Sequence, residues 1–225
     1  MSRRAWTGLS APGPNVKIVI GPLASLSLVV VDVETTGWAP EQAEITEIGA
    51  VRLTGGQLTG EFSSLVRPAC PIPADITALT GITDDMVRRA PLAGAALRAF
   101  LAFAGDCVLV AHNAPFDLGF LTAACTDAGI GWPSIAVLDT AVLARLLLTE
   151  HDVPDCRLAT LAEYFAAKTA PCHRALPDAK ATADVLAGLL GLAAGVRPAG
   201  LCPPDRGLPD QGLPDRGSRL VSIAS

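Results

Sequence analysis

The sequence has no excess of positive charge. Its 225 residues contain 17 lysines and arginines against 22 aspartates and glutamates, which gives a formal net charge of −5 and a pI near 5.1. A protein that coats nucleic acid through bulk charge needs the opposite balance, because cations bind the phosphate backbone. That class of protein is excluded, whereas an enzyme that contacts nucleic acid locally is not.

Two further absences narrow the class of protein. The nearest approach to a membrane span is the uncharged run at residues 18–31, which is interrupted by Gly21 and Pro22 and falls short of the ~20 residues that a spanning helix needs. None of the six cysteines forms a Cys-x-x-Cys pair, so a zinc site is not expected. We therefore expect a cytoplasmic protein with reduced thiols and no membrane association.

The sequence does contain ample material for a core, since 50% of its residues are hydrophobic and only 17% are charged. We predict one domain at residues 25–195, preceded by a flexible leader at 1–24. Residues 196–225 are predicted to be a disordered tail, because they are rich in proline and glycine. A short repeat at 204–217 places proline at every fifth position, which prevents a continuous helix. A peptide that docks on a partner is the alternative for this tail.

Apolar and β-branched runs predict four strands, at residues 27–33, 45–53, 58–67 and 107–111. Residues 135–138 are compatible with a short fifth strand. Helical spacing predicts helices at residues 92–104, 115–128, 139–148, 158–165 and 176–192, with short helical pieces across 74–87. The first three strands form a hairpin-like trio, after which helices and strands alternate. This order predicts an α/β fold with a mixed sheet.

The first acidic site ends an apolar strand. Strand side chains alternate between faces, so Asp32 and Glu34 share the face of Val30. Two carboxylates at this spacing repel each other, and burying them unpaired costs on the order of several kcal/mol. A magnesium or manganese ion between them resolves the conflict, since both ions prefer oxygen ligands. A solvated strand end is equally compatible with this segment taken alone.

Two more acids lie on the apolar faces of predicted helices. Asp117 shares the apolar stripe of its helix with Phe120, and an interaction with the helix dipole is the alternative. Asp178 shares the apolar face of the last helix with Val185. His173 precedes that helix in a loop, where a plain surface position is the alternative to a catalytic one.

The three acidic sites each begin or end a core element, and their acids point where the apolar neighbours point. Four carboxylates carry a charge of about −4, which two divalent cations would neutralise. This arrangement is typical of two-metal sites for in-line displacement at phosphorus. A histidine, which titrates near neutral pH, supplies a base that activates water.

Three segments together resemble a known family. They are Asp32-x-Glu34-Thr35-Thr36-Gly37, His112-Asn113-x-x-Phe116-Asp117 and His173-x-Ala175-x-x-Asp178-Ala179. In this order and spacing they resemble the three motifs of the DEDDh (DnaQ-like) 3′–5′ exonucleases, with the proofreading epsilon subunit of bacterial DNA polymerase III as the nearest type. Smaller similarities lie at residues 79–82, 138–140 and 158–165. The resemblance implies an RNase H-like fold, with a five-stranded mixed sheet flanked by helices.

The resemblance also implies roles for individual residues. Asp32, Glu34 and Asp178 would hold a first Mg²⁺ or Mn²⁺ ion. Asp32 and Asp117 would hold a second ion, and His173 would take the proton from the attacking water. The candidate substrate-binding residues are Thr35, Thr36, Gly37, Trp38, His112, Asn113 and Phe116. Core packing is the alternative for the two aromatic residues, and bonding to the local backbone is the alternative for the histidine and the asparagine.

The expected function is a metal-dependent 3′–5′ exonuclease that releases nucleoside 5′-monophosphates from single-stranded or frayed DNA 3′ ends, for proofreading or repair. An exoribonuclease or oligoribonuclease of the same superfamily is the first alternative. A non-catalytic polymerase-binding module is the second, but it predicts decay of the ligands, and all four acids and the histidine are present. The tail at residues 196–225 is the expected contact for a DNA polymerase subunit.

Overall fold

The computed structural model describes residues 26–196 and the backbone of two short strands outside that range, β1 (Lys17–Ile18) and β7 (Leu220–Val221). These two strands pair in parallel with each other. The rest of the predicted leader and of the predicted tail, including the repeat at 204–217, lies outside the described residues. Within 26–196, none of the helices combines the length and apolarity that a membrane crossing requires.

The main sheet has five strands in the order β4-β3-β2-β5-β6. Their bounds are β2 (Ser27–Thr35), β3 (Ile45–Thr54), β4 (Gln57–Leu65), β5 (Val108–Ala111) and β6 (Val137–Asp139). β3 is antiparallel to both β2 and β4, whereas β5 runs parallel to β2 and β6 runs parallel to β5. The predicted five-stranded mixed sheet is therefore confirmed.

Helices cover both faces of this sheet. They are α1 (Ala74–Thr80), α2 (Asp84–Val87), α3 (Ala93–Ala104), α4 (Ala114–Asp127), α5 (Thr140–Leu147), α6 (Leu158–Tyr164) and α7 (Ala175–Ala193). α3 and α4 pack on the face that carries Val29, Val31 and Val33. α5, α6 and α7 pack on the opposite face, with Leu28 and Val30. β2 is thus buried on both sides, as its run of valines predicts.

Three glycines shape this architecture. Gly55 and Gly56, at φ 58° and 75°, make the tight turn between β3 and β4, in a conformation that other residues rarely adopt. Gly49 lies in β3 directly opposite Asp32 of β2. A Cβ atom on Gly49 would lie 2.2 Å from the carbonyl carbon of Ala175, at the start of α7. The absent side chain therefore lets the first turn of α7 rest on the strand beside Asp32.

Candidate active site

Four carboxyl groups from three elements meet at one end of the sheet, and we call Asp32, Glu34, Asp117 and Asp178 the acidic cluster. Asp32, Glu34 and Asp178 each offer one carboxylate oxygen, and these three oxygens all lie within 4.8 Å of one another. Asp117 joins them from α4, where its Oδ1 accepts a hydrogen bond of 3.0 Å from the N–H of Val33. All are buried except Asp32, which is half-buried. The acids that the sequence motifs singled out are thus brought together.

Burial and mutual repulsion disfavour the charged forms of these acids. Burial, followed by the charges of Asp117 and Glu34, raises the pKa of Asp32 well above its ordinary value. Burial and then Asp178 raise the pKa of Glu34 to about 8. Burial also raises the pKa of Asp117 to about 8, although the Val33 N–H opposes this shift. The acidic cluster without cations therefore retains protons at neutral pH.

The donor set of the acidic cluster fits hard divalent cations. It offers carboxylate oxygens only, from three side chains that converge within 4.8 Å, and Mg²⁺ and Mn²⁺ prefer oxygen ligands of this kind. A cation would also relieve the repulsion that raises the pKa of Asp32. The geometry and the electrostatics therefore both favour metal binding at this position.

The loop before α7 carries His173, and we call residues 172–174 the histidine loop. The N–H of Cys172 donates a 2.8 Å hydrogen bond to Oδ1 of Asp178, which opposes the burial that raises the pKa of Asp178. His173 itself is exposed, has a positive φ of 56°, and lines the same cleft as the acidic cluster. Arg174 donates through Nε and Nη2 to the two carboxylate oxygens of Glu47, at 2.9 and 2.8 Å.

The start of α4 is fixed by the neighbouring strand. The carboxylate of Asp139, at the end of β6, accepts hydrogen bonds from the N–H groups of Asn113 at 3.1 Å and Ala114 at 3.0 Å. The same carboxylate accepts from the first N–H groups of α5, so one side chain caps two helices. Nδ1 of His112 lies 2.9 Å from the hydroxyl of Thr140, and burial lowers the pKa of this histidine. These bonds set the position of the helix that carries Asp117.

A cleft of about 160 Å³ opens over the acidic cluster. Besides the acids and His173, its lining includes Thr35, Gly37, Trp38, Leu79, His112, Asn113 and Phe116. Trp38 is 71% exposed, so core packing does not explain this residue. Phe116 is half-buried and packs against Phe120 in a tilted arrangement, with 5.0 Å between ring centroids, so it both packs in the core and lines the cleft. The exposed indole is the aromatic group available to a ligand.

Thr35 and Thr36, at the end of β2 and directly after it, differ in whether they face the cleft. The N–H of Thr36 donates to the carbonyl of Glu44, and its hydroxyl accepts from the Glu44 N–H, at 2.8 and 2.9 Å. Thr36 is not among the residues that line the cleft, and its N–H is already bonded to Glu44. A contact between Thr36 and the substrate stays a prediction. Thr35 does line the cleft, and its hydroxyl donates to the carbonyl of Gly37.

A larger cavity, of about 680 Å³, lies away from the acidic cluster. It lies between α3, α4 and the segments that flank β3 and β4. Its lining is mostly apolar and rich in alanine, with Glu44, Arg67 and Asp127 as its charged residues. It includes none of the acids or histidines of the three motifs. The smaller cleft is therefore the site at which the chemistry-bearing residues converge.

Two acids that support the site were not predicted as site residues, namely Glu47, which is buried, and Asp139, which caps two helices. Glu47 sits opposite Glu34 in the β2–β3 pairing and is only 3% exposed. Asp139 lies in the segment at residues 138–140, which resembles the family but is not one of its three motifs. An acid between the apolar residues Ile45 and Ile48 of a buried strand was the available signal for Glu47.

Comparison with known families supports this picture. The model of the RNase T exonuclease family matches residues 29–186. A Mycobacterium tuberculosis protein, named as a bifunctional exonuclease/endonuclease, is 51% identical over 174 residues, which are 75% of this chain and 27% of that protein. The PolC-type DNA polymerase III of Bacillus subtilis is 41% identical over 163 residues, which are 72% of this chain and 11% of the polymerase. The chain thus spans a minor part of these relatives.

Solved structures share the fold. Exonuclease X in complex with 5′-overhanging duplex DNA matches with a TM-score of 0.58 and 27% identity, over 78% of this chain and 94% of that one. A 3′-exonuclease that recognises the histone mRNA stem-loop matches with a TM-score of 0.62 over 84% of this chain and 73% of that one, but at 21% identity it supports the fold alone. The RNase H-like fold and the resemblance to DnaQ-like exonucleases are confirmed. The chain therefore belongs to the RNase T exonuclease family and carries a DnaQ-like nuclease domain.

Proposed function

We propose that residues 25–195 form a metal-dependent 3′–5′ exonuclease domain that releases nucleoside 5′-monophosphates from DNA 3′ ends. The observation that carries this proposal is the convergence of the acidic cluster with His173 at one cleft. Membership of an exonuclease family supports the reaction class. Since the chain spans only part of its relatives, the proposal concerns this domain and not their remaining activities.

Asp32, Glu34 and Asp178 would hold one divalent cation, because their oxygens converge within 4.8 Å. Asp117 would share a second cation with Asp32. Mg²⁺ or Mn²⁺ held there would supply positive charge that stabilises the charge developing on the phosphate and on the leaving oxygen. The protein's own part is to keep the four carboxylates fixed on β2, α4 and α7.

His173 would act as the general base. It is exposed at the mouth of the cleft, so it can accept a proton from the attacking water and return it to bulk solvent. Cys172 and Arg174, on either side of it, are both bonded to buried acids. The imidazole is therefore carried on a held backbone while the ring itself remains accessible.

The cleft lining supplies contacts for the terminal nucleotide. The exposed Trp38 offers an aromatic face on which a base can stack. Five further candidate residues line the same cleft: Thr35, Gly37, His112, Asn113 and Phe116. A small cleft of this kind suits one or two nucleotides of a single-stranded or frayed end.

Two relatives favour DNA over RNA as the substrate. The PolC-type polymerase is 41% identical to this chain, and the exonuclease X structure at 27% identity contains duplex DNA. The relation to PolC-type polymerases also favours proofreading beside a polymerase. A docking role for the tail at 196–225 stays a prediction, since most of that segment lies outside the described residues.

The test is degradation of a 5′-labelled single-stranded DNA and of its RNA counterpart, each with Mg²⁺, with Mn²⁺ and with EDTA. We expect a metal-dependent ladder that shortens from the 3′ end, faster on DNA. Asp178→Ala, purified in parallel, is the control for a contaminating nuclease, because removing one ligand prevents metal binding.

The outcomes separate the alternatives. A faster ladder on RNA would contradict the DNA assignment and favour the exoribonuclease. No ladder on either substrate would favour a binding module. A duplex with a mismatched 3′ terminus, compared with its matched form, then tests proofreading, since a frayed end enters a narrow cleft more readily.

A further inference from the structure

We propose that the Glu47–Arg174 ion pair is a positioning device for His173, which holds the histidine loop at the cleft without itself contacting substrate or metal. This inference rests on the proposed function, in which His173 is the base. It assigns a role to a buried acid that the three sequence motifs do not include.

Glu47 lies beside the acidic cluster, where its negative charge is unfavourable. It is 3% exposed and pairs across the sheet with Glu34. After burial and the charge of Asp178, the charge of Glu47 is the next cause that raises the pKa of Glu34. A fifth carboxylate at this position therefore opposes the ionisation of the site, and its presence calls for a compensating role.

Metal binding is not that role, because the oxygens of Glu47 are already used. Oε1 accepts from Nη2 of Arg174 at 2.8 Å, and Oε2 accepts from its Nε at 2.9 Å. Oε2 also accepts from the N–H of Ala175 at 3.0 Å. Three donors thus point at this carboxylate, which leaves it engaged with the protein rather than with the cleft.

The donors all come from the segment that follows His173. Arg174 is the next residue in the chain, and Ala175 is the first residue of α7. On the other side of His173, the N–H of Cys172 donates to Asp178. The histidine is therefore bracketed by one bond to the acidic cluster and three bonds to Glu47.

The backbone of His173 explains why such bracketing is needed. Its φ of 56° lies in the left-handed region, which a residue with a side chain adopts only where surrounding contacts enforce it. The side chain is exposed, so packing does not hold it. The fork of the Arg174 guanidinium on a buried carboxylate fixes both distance and orientation, which a single ammonium cannot do.

The test compares Glu47→Gln and Arg174→Lys in the full-length chain. We expect each to lower kcat on the preferred oligonucleotide by roughly 10–100-fold, because displacing a catalytic group by about 1 Å costs that much. We expect KM to change by less than about twofold, since the cleft wall is untouched. Arg174→Lys retains the charge without the fork, so it serves if Glu47→Gln folds poorly.

Glu61→Gln is the matched control. Glu61 of β4 also forms an ion pair with α7, through Lys180 at 2.9 Å, but it does not line the cleft. Its loss should leave kcat unchanged. An equal loss of kcat in Glu61→Gln would overturn the proposal, because it would mean that any weakening of the seating of α7 lowers activity.

A double-mutant cycle with His173→Ala isolates the positioning role. If Glu47 acts through His173, Glu47→Gln has no further effect on kcat once His173 is absent. A full additional loss in that background would overturn the positioning role and leave the general base intact. If His173→Ala alone leaves kcat unchanged, the base itself is wrongly assigned, which is a distinct result that overturns both statements.

Discussion

The acidic cluster and the histidine loop face one cleft but are held in opposite ways. The acids project from β2, α4 and α7, so their positions follow from the core packing that positions those elements. His173 lies in a loop, is exposed, and has a strained backbone. The difference follows from what each must do, since metal ligands need a fixed spacing, whereas a base must exchange its proton with solvent.

The two regions therefore affect the stability of the fold differently. Holding carboxylates together in a buried place works against folding, as the raised pKa values of Asp32 and Glu34 indicate. Holding an exposed histidine costs little in desolvation but leaves its position to a few hydrogen bonds. Function and stability should consequently be in conflict at the acidic cluster and nearly independent at the histidine.

The largest expected effect comes from Asp32→Asn, which keeps the shape of the side chain and removes its charge. We expect exonuclease activity to fall by more than roughly 10³-fold, to the background level, because Asp32 is the ligand proposed to serve both metal ions. We also expect Tm in EDTA at pH 8 to rise, because the variant removes a carboxyl that the fold must hold either charged beside Asp117 and Glu34 or protonated above its ordinary pKa. Activity assays and thermal denaturation of the same preparation measure both.

Asp127→Asn provides the comparison for this variant, since Asp127 is an exposed aspartate at the end of α4. It should change neither quantity. A fall of Tm in Asp32→Asn would contradict the view that the acidic cluster destabilises the metal-free fold.

A smaller effect on rate is expected from His173→Ala. We expect kcat to fall by roughly 10²–10⁴-fold, the usual contribution of a general base, while Tm stays the same because the ring is exposed. Steady-state kinetics with saturating Mg²⁺ and a melting curve test the pair of outcomes. A large fall of Tm would mean that the histidine loop is part of the folded core, and the contrast between the two regions would fail.

The sequence predicted most of the fold because its signals are local. The valine run of β2 and the Gly55–Gly56 turn each specify their structure over a few residues. The four predicted strands, the short fifth strand and the longer helices were all found, with ends that shift by one or two residues. β2 continues two residues beyond its predicted end, to Thr35, so Glu34 lies within the paired strand.

The acids of the site were also predictable, because each lies on an apolar face next to an element end. The parts of the site that the sequence did not predict depend on contacts between residues that are far apart in the chain. Glu47 meets Arg174 across 127 positions, through the register of β2 and β3 and the close approach of α7 at Gly49. The use of the Thr36 N–H by Glu44 likewise depends on the path of the loop between β2 and β3, which no local pattern specifies.

The last expected effect concerns stability rather than rate, as a function of pH in the metal-free protein, and it sharpens the contrast between the two regions. The pKa of Glu34 is raised from 4.5 to about 8 in the folded state. Between these values the folded chain binds more protons than the unfolded chain, so its free energy of unfolding falls as the pH rises. The stabilisation that the folded chain gains from proton binding at Glu34 is fully present below pH 4.5 and is lost as the pH passes through about 8.

Glu34→Gln tests this term, because the variant cannot titrate at that position; it also removes one of the charges that raise the pKa of Asp32. We expect the Tm of the variant in EDTA to exceed that of the wild type by a margin that grows between pH 5 and pH 8. Each ~1 kcal/mol should appear as ~2–4 °C in a chain of this size.

Adding Mg²⁺ should raise the wild-type Tm more at pH 8 than at pH 5, since cations bind the deprotonated ligands. A margin that shrinks with pH would mean that Glu34 is stabilised as a carboxylate by the protein alone, which would remove the electrostatic argument for a metal at the acidic cluster. His173→Ala, measured in the same series, should show the same dependence on Mg²⁺ as the wild type, because the histidine is not a proposed ligand and all four carboxylates remain.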